Sequence, residues 1–329
     1  MGLSDFFRKL LNTTSDESKN IPTAIDDSAI TAPALRNANT PFANVNFLSK
    51  INGRPLEQTS DYYYLGFDRE FAIHDPLKKH KDMIEAGFLV KAPLNVSIAY
   101  NYKVSDLKNI LEKFGLKKAG NKEELIRRLI DEANTDSLKI NPVYILSSSG
   151  KEYVTKYHYY VEAVKYLDCD LTIQMFDSAK KIFPDKSVQE IVFHLYQTLD
   201  QKYIDSRFYW RLGYNQKKKF NVLIELQNYK DAGYYAIVYI YLKLSGMTDY
   251  GIDDYKDLSL DMSYKDCLNT VEIFNIPVLV NKCYKEYRLP FHYFKPQVTS
   301  EIITRLYNGE EVSLASYRKK AARPSSYSL

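Results

Sequence analysis

Val104-Ser105-Asp106-Leu107-Lys108-Asn109-Ile110-Leu111-Glu112-Lys113-Phe114-Gly115-Leu116-Lys117-Lys118-Ala119-Gly120-Asn121-Lys122-Glu123-Glu124-Leu125-Ile126-Arg127-Arg128-Leu129-Ile130 is the stretch whose reading decides this chain. Val104, Leu107 and Leu111 fall on one helical stripe, and Leu125, Leu129 and Ile130 on another. Gly115 stops the first helix. Asn121, with Glu124 three residues later, is a capping-box variant that starts the second. The spacing predicts helices over 104–114 and 122–133 that pinch a small core around Leu116. A unit of about 35 residues is marginal alone and must lean on its neighbours.

The charge of this stretch is lopsided. Lys103, Lys108, Lys113, Lys117, Lys118, Lys122, Arg127 and Arg128 stand against Asp106, Glu112, Glu123 and Glu124, an excess equal to the +4 of the whole chain. The turn from Lys117 to Lys122 puts amines beside the open N–H groups of a helix start, an arrangement suited to phosphate.

Three features, Val-x-x-Leu-Lys-x-x-Leu at 104–111, Gly-Leu at 115–116 and Gly-x-Lys-x-Glu-Leu-Ile-x-Arg-Leu at 120–129, closely resemble the SAP motif, a helix-extended-helix DNA-binding module. The resemblance covers about a tenth of the chain. It implies sequence-tolerant binding of double-stranded DNA, often AT-rich, through the first helix start, the Gly-Lys turn and the second helix. Carried over by position, the contacts are Lys103, Lys108, Lys117, Gly120, Lys122 and Arg128, with Lys118 and Arg127 as neighbouring cations. Lys103 departs from the hydroxyl N-cap usual in the family, and Asn121 stands where a basic residue is common. The flanks are similar to those around SAP motifs in proteins of Gram-positive bacteria and their phages, which implies a role in mobile-element biology or nucleoid regulation.

Working outward, Asp75-Pro76-Leu77 to Gly87 reads as a helix with proline at its start and glycine at its stop. Val143-Tyr144-Ile145-Leu146 is a short β-branched run, and Ser147 offers an N-cap to the helix after it. This strand-turn-helix is similar to winged-helix regulators. Beyond Asp168 the periodicity is helical, with helices expected near 171–183, 186–203, 206–212, 216–228, 230–244, 264–274, 277–286 and 297–308. The pair around Asn228 resembles one tetratricopeptide-type repeat, with Tyr229 and Ala232 at the interhelix contact.

The expected fold is therefore mostly α: a small SAP module with winged-helix-like flanks, then an all-α, helical-repeat-like C-terminal domain. Its parts are an amphipathic helix at 1–11 (Leu3, Phe6, Phe7, Leu10 and Leu11 on one face), a disordered linker at 12–60 and an N-terminal domain at 61–166 holding the module at 102–134. A helical domain at 167–310 and a basic tail at 311–329 follow. The C-terminal helices are expected to hold a protein partner or a second copy.

Composition excludes several classes. The 329 residues are 45% hydrophobic and 26% charged, as in ordinary globular chains. The longest apolar run, Tyr234 to Leu242, is about half of the ~18–20 residues needed to cross a bilayer, so membrane association is not expected beyond surface attachment by the first helix. Cys169, Cys267 and Cys283 are too scattered for a disulfide framework or a zinc site. The expected compartment is the cytoplasm. No Gly-x-Ser-x-Gly, Walker, His-Glu-x-x-His or Cys-x-x-Cys pattern occurs, and the five histidines lie in separate segments. Neither catalysis, a cofactor nor a metal is expected. The tyrosines at 157, 159, 160, 234, 235, 239 and 241 fit helix contacts amid Ile, Val and Leu. Lys217-Lys218-Lys219 reads as a solvated helix start. A helical scaffold whose SAP-like hairpin is purely structural is the rival reading.

Overall fold

The computed structural model describes residues 39–56, 66–133, 135–248, 251–260, 262–271 and 273–324. The chain is mostly α-helical and divides into two compact units, Met1–Lys151 and Glu152–Leu329. The amphipathic helix expected at 1–11 lies outside the described residues, as does the linker up to residue 38.

The first unit runs α1 (Pro41–Ile51), β1 (Arg54–Pro55), α2 (Gly66–Phe71), α3 (Pro76–Glu85), β2 (Leu89–Lys91), α4 (Leu94–Asn101), α5 (Val104–Lys113), α6 (Lys122–Glu132) and β3 (Val143–Leu146), and α7 (Ser148–Lys156) crosses the division. β3 lies between β1 and β2, antiparallel to both, with Arg54 opposite Tyr144 and Val90 opposite Ile145. Helix, strand, two helices, strand and a returning middle strand is winged-helix-like connectivity. Residues 92–142, which carry α4, α5 and α6, fill the connection between β2 and β3. Ser147 caps α7 as expected, accepting from the Gly150 N–H at 3.0 Å while donating to the Gly87 carbonyl at 2.6 Å. Any Cβ at position 150 would sit 2.1 Å from the Phe88 carbonyl oxygen, so glycine is required there.

The expected linker does not extend to residue 60. Thr40 caps α1, accepting from the Ala43 N–H at 3.2 Å, and Pro41 occupies its first turn. The helix buries Phe42, Val45, Phe47, Leu48 and Ile51. Phe47 meets Phe67 of α2 with ring centroids 4.9 Å apart. Interleaved Asn and Ser residues hide this apolar face in the sequence.

His80 of α3 is fully buried between Phe47 and Tyr144, and neither ring nitrogen has a hydrogen-bond partner among the described residues. Burial pushes its pKa down to about 4. The unfolded chain therefore takes up the proton first. Stability of this unit is full above about pH 6.5, falls as the pH drops toward 4, and has by then lost about 3 kcal/mol from this residue. Urea unfolding between pH 7 and 4 should follow that slope, and His80→Leu should flatten it.

The second unit contains α8 (His158–Ala163), α9 (Ile173–Ile182), α10 (Val188–Asp205), α11 (Tyr209–Glu225), α12 (Tyr229–Ser245), α13 (Met262–Asn269), α14 (Ile276–Tyr287) and α15 (Pro296–Tyr307). Among the described residues its only β feature is a single bridge, Met247 to Ile252. Where the sequence reading sets the domain boundary at 166, the division comes at 151. The Tyr160 hydroxyl donates to Asp177 at 2.7 Å and the Tyr196 hydroxyl to the Tyr166 carbonyl at 3.1 Å, which ties 158–166 into this unit.

Helices α10, α11 and α12 pack as successive antiparallel neighbours. The helices expected at 206–212 and 216–228 are one continuous α11. Lys217-Lys218-Lys219 therefore lies inside a helix and does not start one; Lys219 is buried and Lys218 pairs with Asp168. Ala232 is buried at the hairpin contact as expected, whereas Tyr229 is 47% exposed. Of the tyrosines read as helix contacts, Tyr160 and Tyr241 are buried, and Tyr239 stacks on Tyr264 at 4.6 Å. The tail is ordered through Lys320: residues Leu314–Lys320 form a 3-10 turn, Tyr317 is buried and donates to Glu301 at 2.9 Å, and Lys320 pairs with the same carboxylate.

Candidate nucleic-acid interface

The module between β2 and β3 is built around Ile98, Leu107, Leu111, Leu125, Ile126 and Leu129, all buried, with Leu116 packed against them. On α6 Ile126 joins Leu125 and Leu129 in the core while Ile130 is only partly buried, and Val104 is 39% exposed at the start of α5. Gly115, at φ +69°, ends α5, and the Leu116 N–H reaches back to the Leu111 carbonyl at 2.8 Å. The α6 cap is reciprocal: Glu124 N–H donates to Asn121 Oδ1 at 3.0 Å, and Asn121 N–H donates to the Glu124 carboxylate at 3.1 Å. The α5 cap is half of this. Asp106 accepts from the Lys103 N–H at 2.9 Å, and an ammonium cannot return the bond.

Helix α4 anchors the module to the sheet. The Asn101 side-chain amide donates to the Asn141 carbonyl at 2.8 Å and accepts from the Asn141 N–H at 3.2 Å, copying a strand pair. The Val143 N–H donates to Ser97 Oγ at 3.3 Å. Nothing in the local sequence pattern marks these clamps, because polar residues at 97 and 101 read as loop.

The structure sorts the eight expected contact positions into two groups. Lys103, Lys108, Lys117 and Arg127 are exposed and make no ion pair or side-chain hydrogen bond among the described residues. Lys113, counted in the charge but not singled out, is the same.

The other four are engaged. Lys118 pairs with Glu112 at 2.6 Å, an exposed contact that a phosphate can displace at little cost. Lys122 donates to the Ala99 carbonyl at 2.6 Å, satisfying the open end of α4, and is half-buried. Arg128 donates through Nη1 to the Lys117 and Ala119 carbonyls at 2.5 and 3.0 Å, so it shapes the loop. Gly120 sits at φ +133°, where a Cβ would come within 2.4 Å of Glu124 Oε2. Its role is conformational: it lets the loop pass over the capping carboxylate. Lys103 and Lys117 thus stand before the two capped helices, and Lys108 and Arg127 lie along them.

Residues 101–132 match the SAP domain, which is generally a DNA-binding module. The match covers about a tenth of the chain. No curated protein and no solved structure matches the chain significantly.

Elsewhere, Asp168, Cys169 and Asp170 bring three possible ligand atoms together in one loop. Asp168 accepts the Asp170 and Leu171 N–H groups, both at 2.8 Å, and pairs with Lys218; Asp170 pairs with Arg211 at 3.1 Å. These carboxylates are satisfied by the protein. His194 packs edge-on against Phe183. No described helix is long and apolar enough to cross a membrane.

Proposed function

We propose that the chain is a non-enzymatic, cytoplasmic DNA-binding protein that holds duplex DNA with little sequence preference through its SAP module. The second unit would serve a protein partner or a second copy. The observation that carries the reading is the set of exposed cations with no carboxylate partner among the described residues, Lys103, Lys108, Lys117 and Arg127, before and along the module's two helices. Such contacts address the phosphate backbone, which every sequence shares, so AT-rich and GC-rich duplexes should differ little unless groove shape intervenes. A dissociation constant of about 10⁻⁴ to 10⁻⁶ M at physiological salt follows for so few contacts. The mobile-element or nucleoid setting implied by the flanks fits this mode of binding.

Fluorescence anisotropy tests the reading. Lys103→Ala/Lys117→Ala removes two exposed charge contacts worth about 0.7 kcal/mol each and should weaken AT-rich and GC-rich duplexes alike, by about tenfold in total. Undiminished binding by this variant would contradict the assignment. The scaffold reading draws on Lys122 and Arg128, which donate hydrogen bonds to main-chain carbonyls inside the unit. It predicts no duplex binding by the intact chain.

A further inference from the structure

The second unit carries an exposed aromatic ladder on α11. Trp210 and Tyr214, four residues apart on α11, are 60% and 50% exposed, and their rings lie parallel within 5° at a centroid separation of 5.9 Å. Phe208, 38% exposed, adds a third ring at the helix start. Large aromatic side chains left in water cost hydrophobic free energy that burial would recover, and Trp and Tyr in that position are the residue types that dominate recognition surfaces.

Cations frame the rings. Arg211 lies 5.4 Å from the Phe208 ring centroid and Lys218 lies 4.7 Å from that of Tyr214. Each is held by a carboxylate, Asp170 for Arg211 and Asp168 for Lys218. Arg207, just before α11, and Lys217, whose ammonium lies 5.6 Å from the Tyr239 ring centroid, have no carboxylate partner among the described residues. Flat parallel faces on a stretch that carries two more cations than its paired carboxylates neutralise suit a polyanion that carries planar rings. An apolar peptide would use the rings and gain nothing from the cations.

We propose that Trp210 and Tyr214 form a stacking platform for unpaired nucleobases, a single-strand site separate from the SAP module. Base stacking on aromatic side chains tolerates any sequence, because every base offers a π face, and flanking cations track the phosphates. The proposal rests partly on reading the chain as a nucleic-acid binder, and the two readings fail separately in the following test.

Trp210 is the only tryptophan of the chain, so its fluorescence reports this site alone. A short oligothymidylate titrated into the full chain should quench it saturably. An abasic strand of equal length, with the same phosphates and no bases, should not. Tyr214→Ala, at a half-exposed position, should weaken single-strand binding about 5- to 100-fold and leave duplex binding unchanged. Lys103→Ala/Lys117→Ala should lose duplex affinity and keep the quenching. No saturable quenching, or equal quenching by the abasic strand, would overturn the platform while leaving the SAP reading intact. Quenching by oligothymidylate in a chain that fails to bind duplex would do the reverse.

Discussion

Asp200→Ala should destabilise the second unit by about 3–5 kcal/mol, the cost of leaving a buried charge without its partner. Lys219 is 1% exposed, and its ammonium pairs with Asp200 Oδ2. The same carboxylate accepts from Asn215 at 2.7 Å and Gln216 at 2.8 Å through Oδ1, so one side chain of α10 satisfies three from α11. Burial pulls the Lys219 pKa down while Asp200 pulls it back. Without Asp200 the lysine must shed its proton or drag water into the helix stack. The double change Asp200→Leu/Lys219→Met removes both charges and should recover part of the loss, the remainder being the acceptor that the buried Asn215 and Gln216 amides lose. Urea unfolding of both variants checks this. A single variant no less stable than the parent would mean that the network contributes nothing.

Leu111→Ala should cost about 2–5 kcal/mol and unfold the module between β2 and β3. Leu111 is fully buried in a cluster of six buried side chains ringed by partly buried ones, so its removal leaves a cavity inside the module's core. Helix propensity does not confound the result, since alanine is the better helix former. Duplex binding should vanish together with protection of the α5 and α6 amides in hydrogen exchange, while the second unit keeps its own protection. Retained binding would show that the contacts do not depend on this fold.

Much of this architecture is legible in the sequence where local signals agree. Helices α5 and α6 match the expected spans to within a residue, because Gly115 and the Asn121/Glu124 box mark the turn between them in the backbone itself. Ser147 and Val143–Leu146 are equally local. Helix α4 is missed, since Leu94-Asn95-Val96-Ser97-Ile98-Ala99-Tyr100-Asn101 has no 3.6-residue apolar period and its Ser97 and Asn101 act only through contacts far along the chain. The break expected between 212 and 216 fails for a similar reason. Asn215 and Gln216 look like loop residues, but they are core residues that serve Asp200.

The candidate interface divides in the same way. Charge count finds the module, but it cannot tell a lysine that meets a phosphate from one that caps a neighbouring helix. Lys122 and Lys117 read alike, and only the carbonyl of Ala99, twenty-three residues from Lys122, separates them. Arg128 is likewise diverted by the loop it shapes.

The salt dependence of duplex binding by the intact chain tests the central claim most directly. With three or four phosphates neutralised, the logarithm of the association constant should fall against the logarithm of salt concentration with a slope of about −3 to −4. Each of Lys103, Lys108, Lys117 and Arg127 changed to alanine should make the slope shallower by about 0.9, whereas a change at Lys122 should act through stability instead. A slope near zero, or one that none of the four changes moves, would contradict the account.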